Sequence, residues 1–349
     1  MFALPPVSFP TRLLLILASI VIVVAGMRSI ADTLNAVFMA ALIAILCTPV
    51  QNRLRARGLS SGLALMLTLV MIIGIGILFV AFIGISTNQV IRKLPDYQVR
   101  IQQLEQSTWA ELDRLGVSDQ TVKALESVNL QSLIPFASSV LRGTFDSLGN
   151  ILLIFLILFY MLMDAPNIPR RMRAVLGADS HWLVKAKLFI VSVQRYMLLK
   201  TVFGVVIAAI QTVFMLLMGV DFAVQWGVLA VITNYIPNVG FVLGLIPPVF
   251  VTLLEKGPAA AIVLIVVYSL INNIIENFVS PRFVGEELGI SALFIFLSLI
   301  FWTWVLGAAG ALLAVPLTVF VKIMLLDGNN GVRGLVAFIS DGTGEKQVS

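Results

Sequence analysis

Apolar residues fall along this chain in long runs: Leu13 to Met27, Ile30 to Val50, Leu63 to Ile85, Leu148 to Met163, Thr201 to Met218 and Ala259 to Val279. A helix of about 20 apolar residues crosses a hydrocarbon core of roughly 30 Å, so each run predicts a membrane span. Two further runs, Phe222 to Leu254 and Ile290 to Leu326, are too long for one crossing. The first is interrupted by Asn234, Pro237, Asn238 and Gly240, and the second by Gly307 and Gly310. Each is read as two short helices with a turn at membrane depth. Irregular backbone survives there only if protein buries it or it lines a watery cavity, which makes both breaks candidate transport elements. The competing readings are a kinked single span whose Asn residues cap its own broken ends, and a close helix-packing surface of small residues. The predicted fold is an all-α polytopic membrane protein with about six full spans plus two broken-helix hairpins.

Charge adds sidedness to this pattern. Arg53, Arg55 and Arg57 join the second and third runs with no acid among them, which places that loop and the N-terminus in the cytoplasm. From Asn88 to Asp146 the chain is polar, with acids slightly in excess, as expected outside the cytoplasm. Within it Ile101, Leu104, Thr108, Leu112 and Leu115 recur about every 3.5 residues, predicting an amphipathic helix that ends at Gly116. A second helix is capped by Ser118. The apolar stripe is covered either by the membrane domain or by another subunit, so a homo-oligomer is an expected partner arrangement.

The strongest cytoplasmic signal is Arg170, Arg171, Arg173, Lys185, Lys187, Arg195 and Lys200, which also suits anionic lipid. The first hairpin then enters from outside and returns there at Glu255 and Lys256, and the second enters from inside. Together with the spans before them, the hairpins make an inverted-topology repeat in the C-terminal half. The expected divisions are a three-span unit (1–87), an extracytoplasmic amphipathic region (88–146), and a fourth span with a basic cytoplasmic segment (147–200). A transport unit with both hairpins (201–326) and a polar cytoplasmic tail (327–349) follow.

Composition agrees with the runs. Of 349 residues 59% are hydrophobic and 12% charged, against roughly 25% charged in soluble domains. The net charge of +5 sits at span ends, so it points to the lipid bilayer as partner and not to nucleic acid. Leu13 to Met27, preceded by Arg12, resembles a signal-peptide core, but the next span begins at once and Val24, Ala25, Gly26 make a weak cleavage site. Cys47 and His181 are the only residues of their kinds, leaving no disulfide framework, cysteine-based metal site or iron–sulfur cluster. No phosphate-cradling loop, no H-E-x-x-H and no convincing Ser, His, Asp set is present. Neither an enzyme nor a cofactor is expected.

The candidate chemistry is therefore polar residues inside apolar segments. In the first break Pro237 removes a backbone donor, Gly240 permits positive φ, and Asn234 and Asn238 offer donors and acceptors. Asn272, Asn273, Glu276 and Asn277 form the densest polar cluster in any apolar segment, and their spacing of three and four puts Asn272, Asn273 and Glu276 on one helix face. These residues predict a site in which Asn234, Pro237, Asn238, Gly240, Asn272 and Asn273 hold substrate and Glu276 couples a proton or cation. The alternative for Glu276 is a structural pair with Arg282 near the inner interface. Gly307 and Gly310 mark the second hairpin tip, Trp302 and Trp304 an interface or cavity wall, and Gln211 and Thr212 weaker lining candidates.

At these same residues the chain resembles the autoinducer-2 exporter family of bacterial membrane proteins, also called PerM-like. The resemblance rests on Asn234 to Gly240 with Pro247 beyond, Glu276 followed by Pro281, Arg282 and Gly285, then Leu288 and Gly289. It ends with Gly307, Gly310, Ala314, Val315, Pro316 and Leu317. Asn273 departs from a Gln frequent in that family, and Ser291 with Ala292 from a His-Pro pair. The resemblance implies a bacterial inner-membrane secondary transporter exporting the quorum-sensing signal autoinducer-2, or a sodium(lithium)/proton antiporter. A membrane scaffold or channel-like assembly built on the amphipathic region is the reading from a different class.

Overall fold

The computed structural model describes residues 9–114, 151–177, 180–237, 239–279 and 290–326. Every regular element among them is helical. In chain order these are α1 (Phe9–Ser29), α2 (Ala31–Ala56), α3 (Ser61–Arg114), α4 (Ile151–Asp164), α5 (Ile168–Leu176) and α6 (His181–Leu217). Then come α7 (Ala223–Thr233), α8 (Gly240–Lys256), α9 (Pro258–Ile274) and α10 (Ala292–Val321). Helix α9 runs into a π-helical turn, Ile275–Val279, and α10 into another, Lys322–Leu326.

Five of these helices are long and apolar enough to cross a membrane by length and composition, and six if α4 and α5, bent 64° apart, are taken as one span; one of the five, α10, is broken at Gly307. The protein is thus an all-α polytopic membrane protein. The expected second, third, fifth and sixth spans fall on α2, the first half of α3, the second half of α6 and α9. The expected first and fourth spans are shorter helices, Leu14–Ser29 and the 14-residue α4. Two junctions differ from the sequence pattern. Helix α3 does not stop where the chain turns polar but continues for 54 residues, about 81 Å at 1.5 Å per residue, so its polar half must leave a roughly 30 Å core. Helix α6 likewise carries the basic segment and the following span as one rod of 37 residues. Hydropathy marks where a helix changes solvent, and helix propensity carries the backbone through the change.

The packing is that of a chain solvated by lipid. On α2 the buried stripe is Ala36, Ala40 and Ala44, while large apolar side chains such as Ile22, Ile77 and Leu78 are exposed. Small residues let helix backbones approach, and leucine-sized chains gain nothing by leaving hydrocarbon. The tight reversal between α8 and α9 is a Gly257-Pro258 pair. Gly257 ends one helix at φ 85° and Pro258 opens the next, where its missing N–H costs nothing.

The chain forms two compact units. One comprises Met1–Thr48, Asn150–Val193 and Leu288–Ser349, and holds α10; the other comprises Pro49–Gly149 and Gln194–Glu287, and holds α7, α8 and α9. The core of the second includes Met215, Leu264 and Tyr268, with Ala230, Val251 and Leu254 from α7 and α8. The expected helix capped by Ser118, the packing of the apolar stripe from Ile101 to Leu115, and the 327–349 tail lie outside the described residues.

Candidate functional site

The first broken run is a helical hairpin. Helix α7 stops at Thr233, the described residues 234–237 and 239 turn, and α8 begins at Gly240. The turn closes on its own backbone: Ile236 N donates to Thr233 O at 2.9 Å and Gly240 N to Ile236 O at 3.0 Å. Pro237 and Gly240 are buried in this closure, and a Cβ at Gly240 would overlap the Thr233 carbonyl. They shape the tip and do not line the cavity beside it.

That cavity, about 280 Å³, lies within the second unit and is lined by Lys200, Asn234, Ile236, Phe241, Asn272, Asn273, Glu276 and Asn277. It brings together four of the expected residues, Asn234, Asn272, Asn273 and Glu276. Asn238 and Arg282 lie outside the described residues. The carboxylate of Glu276 is held by Lys200, with Nζ to Oε1 2.8 Å and both side chains half-buried. The sequence presents Lys200 as one basic residue of a cytoplasmic segment, and the one signal that sets it apart is its position, the last charge before the apolar stretch of α6.

The hairpin tip is fastened to α6 at the same place. Asn234 Nδ2 donates to Lys200 O at 3.3 Å, and the Thr201 and Tyr235 hydroxyls share a hydrogen bond of 2.7 Å. Gly204 has no Cβ to block this, since one would lie 2.6 Å from Asn234 Nδ2. On the opposite wall Asn273 donates to Ser269 O at 2.8 Å and accepts from Asn277 at 3.0 Å, so part of its capacity is spent on its own helix. Among the described residues the Asn272 amide has no hydrogen-bond partner. Glu276 sits in the π-helical turn that ends α9, where the wider helix leaves backbone groups out of the regular ladder. The arrangement offers amide donors and acceptors, a paired charge and an aromatic wall at Phe241, which suits a small polar ligand better than a metal. No cluster of metal-ligating side chains occurs among the described residues. Gln211 is buried with neither amide atom hydrogen-bonded among the described residues, and Thr212 bonds back to Ala208 O; neither lines the cavity.

The base of the same hairpin is clamped by the polar half of α3. Gln89, Lys93, Tyr97 and Arg100 share one helix face and meet Gln225, Asp221, Glu255 and the Leu254 and Glu255 carbonyls respectively. Burial, and the Glu255 carboxylate beside it, push the Tyr97 phenol above its usual range. Phe222, at the start of α7, is held at φ 60° between Lys93 and Trp226.

The second broken run also doubles back. At Gly307 the backbone takes φ 68° and ψ −150°, a region open essentially to glycine alone. Trp302 Nε1 donates to Thr318 Oγ1 at 3.1 Å, although 16 residues of straight helix would separate them by about 24 Å. Gly310 packs against the Trp302 carbonyl, and Asn35 of α2 donates to Leu306 O at 3.0 Å, satisfying a carbonyl freed by the break. Trp302 is buried and Trp304 is exposed beneath the Arg28 guanidinium.

A family model for AI-2E family transporters matches residues 14–330. The AI-2 transport protein TqsA of Escherichia coli K12 is 31% identical over 331 residues, covering 95% of this chain and 96% of that protein. YhhT of Escherichia coli K12, named only as a candidate transport protein, is 29% identical over 322 residues, covering 92% of each chain. YueF of Bacillus subtilis, named likewise, is 29% identical over 284 residues, covering 75% of this chain and 76% of that one.

Proposed function

Because this chain belongs to the AI-2E transporter family, we propose that it is a secondary transporter exporting a small polar metabolite, with the quorum-sensing signal autoinducer-2 as its first candidate. The observation that carries this reading is the amide-rich cavity at the tip of the first hairpin, where Asn234 and Asn272 meet the Lys200–Glu276 pair. Hydroxyl groups of a small polar solute would bond to the Asn amides while its C–H face lay against Phe241. Alternating access would come from movement of the hairpins; protonation of Glu276 would release the Lys200 ammonium from the end of α9, and the tip would leave α6 by breaking its bonds to the Lys200 carbonyl and Thr201. The second hairpin, hinged at Gly307, is the other candidate moving element. The protein would lie in the bacterial inner membrane with both termini in the cytoplasm, and assemble as a homo-oligomer through the apolar stripe expected from Ile101 to Leu115.

Proteoliposomes containing the purified protein test this reading. Autoinducer-2 flux that quickens with a pH gradient, and falls at least tenfold in Glu276→Gln, is the expected result. Sodium or lithium exchange for protons without signal flux would replace it with an antiporter. No flux of either kind would leave a scaffold.

A further inference from the structure

The charged lining of the cavity is spent on itself. Lys200 and Glu276 are its only charged residues among those described, and they touch at 2.8 Å, so their charges cancel. A carboxylate that binds a free alkali cation has to turn its oxygens toward that ion. Here one oxygen already faces an ammonium, which is itself a monovalent cation on a stem. The stem is anchored at its root, because the Lys200 carbonyl accepts from Asn234 Nδ2 and the neighbouring Thr201 hydroxyl bonds to Tyr235. The ammonium is therefore carried by the same stretch of α6 that seats the hairpin tip.

We propose that Lys200 determines the charge selectivity of this cavity: it is a tethered counter-cation that occupies Glu276 in place of free sodium or lithium, leaving the Asn amides to take an uncharged polar solute. The selectivity for a transported solute rests on reading this cavity as the transport site, whereas the exclusion of cations does not. An ammonium 2.8 Å from the carboxylate occupies the face a free cation would take and repels a second positive charge from it. Removing the ammonium while keeping the carboxylate should open a cation site.

The test is thermal unfolding of the full-length protein in detergent, in sodium, lithium or choline chloride at equal ionic strength so that screening is constant. Wild type and Lys200→Arg are expected to unfold at the same temperature in all three salts. Lys200→Gln is expected to gain a rise in sodium or lithium that the Lys200→Gln/Glu276→Gln double variant lacks. A sodium-dependent rise in wild type that Glu276→Gln removes would overturn the proposal, as would no gain in folded Lys200→Gln. Should Lys200→Gln fail to fold, equilibrium binding of radioactive sodium decides: wild type binding no more than Glu276→Gln supports the proposal, and wild type binding more defeats it. Absence of signal flux from proteoliposomes would defeat the transport reading alone, because these binding measurements need no flux.

Discussion

At Gly240 the chain has room for a hydrogen and nothing larger, because a Cβ there would overlap the Thr233 carbonyl on the other arm of the hairpin. The same is true of Gly310, whose neighbour is the Trp302 carbonyl. Both sit where two short helices meet, and neither takes the positive φ that Gly240 was expected to need, so the residue type is set by backbone approach and not by turn geometry. Gly240→Ala is expected to destabilise the protein by about 1–3 kcal/mol, the usual cost of overpacking a filled site. Gly74→Ala is the control, since a Cβ there meets nothing within 4 Å. Thermal unfolding midpoints should drop for the first variant and hold or rise for the second. Equal midpoints would mean the tip is looser than the structure has it.

The elements that matter most are the two hairpins and the helix that clamps one of them. For the second hairpin the contact between Trp302 and Thr318 separates a folded-back pair from a straight rod. In a Cys47→Ser background, Trp302→Cys/Thr318→Cys is expected to cross-link with a short thiol reagent, whereas ends about 24 Å apart could not. The clamp on the first hairpin has its own signature. The Tyr97 phenol is raised above the value of about 10 it would have unfolded, so the folded state binds that proton more tightly. Its share of stability is whole below about pH 10 and is lost as pH rises beyond. Wild type is therefore expected to lose more thermal stability between pH 9 and 11 than Tyr97→Phe, and matching losses would remove Tyr97 from the clamp.

For the whole molecule, charge asymmetry predicts the sidedness. Lys256 and Arg55 are both exposed, at the ends of α8 and α2. On the cysteine-free background, Lys256→Cys is expected to react with a membrane-impermeant maleimide added to intact cells' outer face. Arg55→Cys should react only when the cytoplasmic face is open. The reverse pattern would invert the proposed topology, and with it the direction in which the hairpins enter.

Hydropathy, run length and the positions of glycine, proline and asparagine are local properties, and they determined what local physics can. They set the all-α membrane fold, the two runs that fail to cross as single helices, and the breaks near residues 234–240 and 307–310. The polar face of Asn272, Asn273 and Glu276 was legible for the same reason, because helical spacing alone brings it together. The identity of Glu276's partner was not. Lys200 stands 76 residues away, inside a stretch whose charge reads as topology, and it reaches the carboxylate only because α6 continues unbroken past it and packs beside the end of α9. Asn35, 271 residues from the carbonyl it satisfies, and the buried Gln211 are decisions of the same kind. Which helices lie side by side depends on the summed packing of small residues and freed backbone groups along the chain, so only the tertiary structure could decide which charges meet.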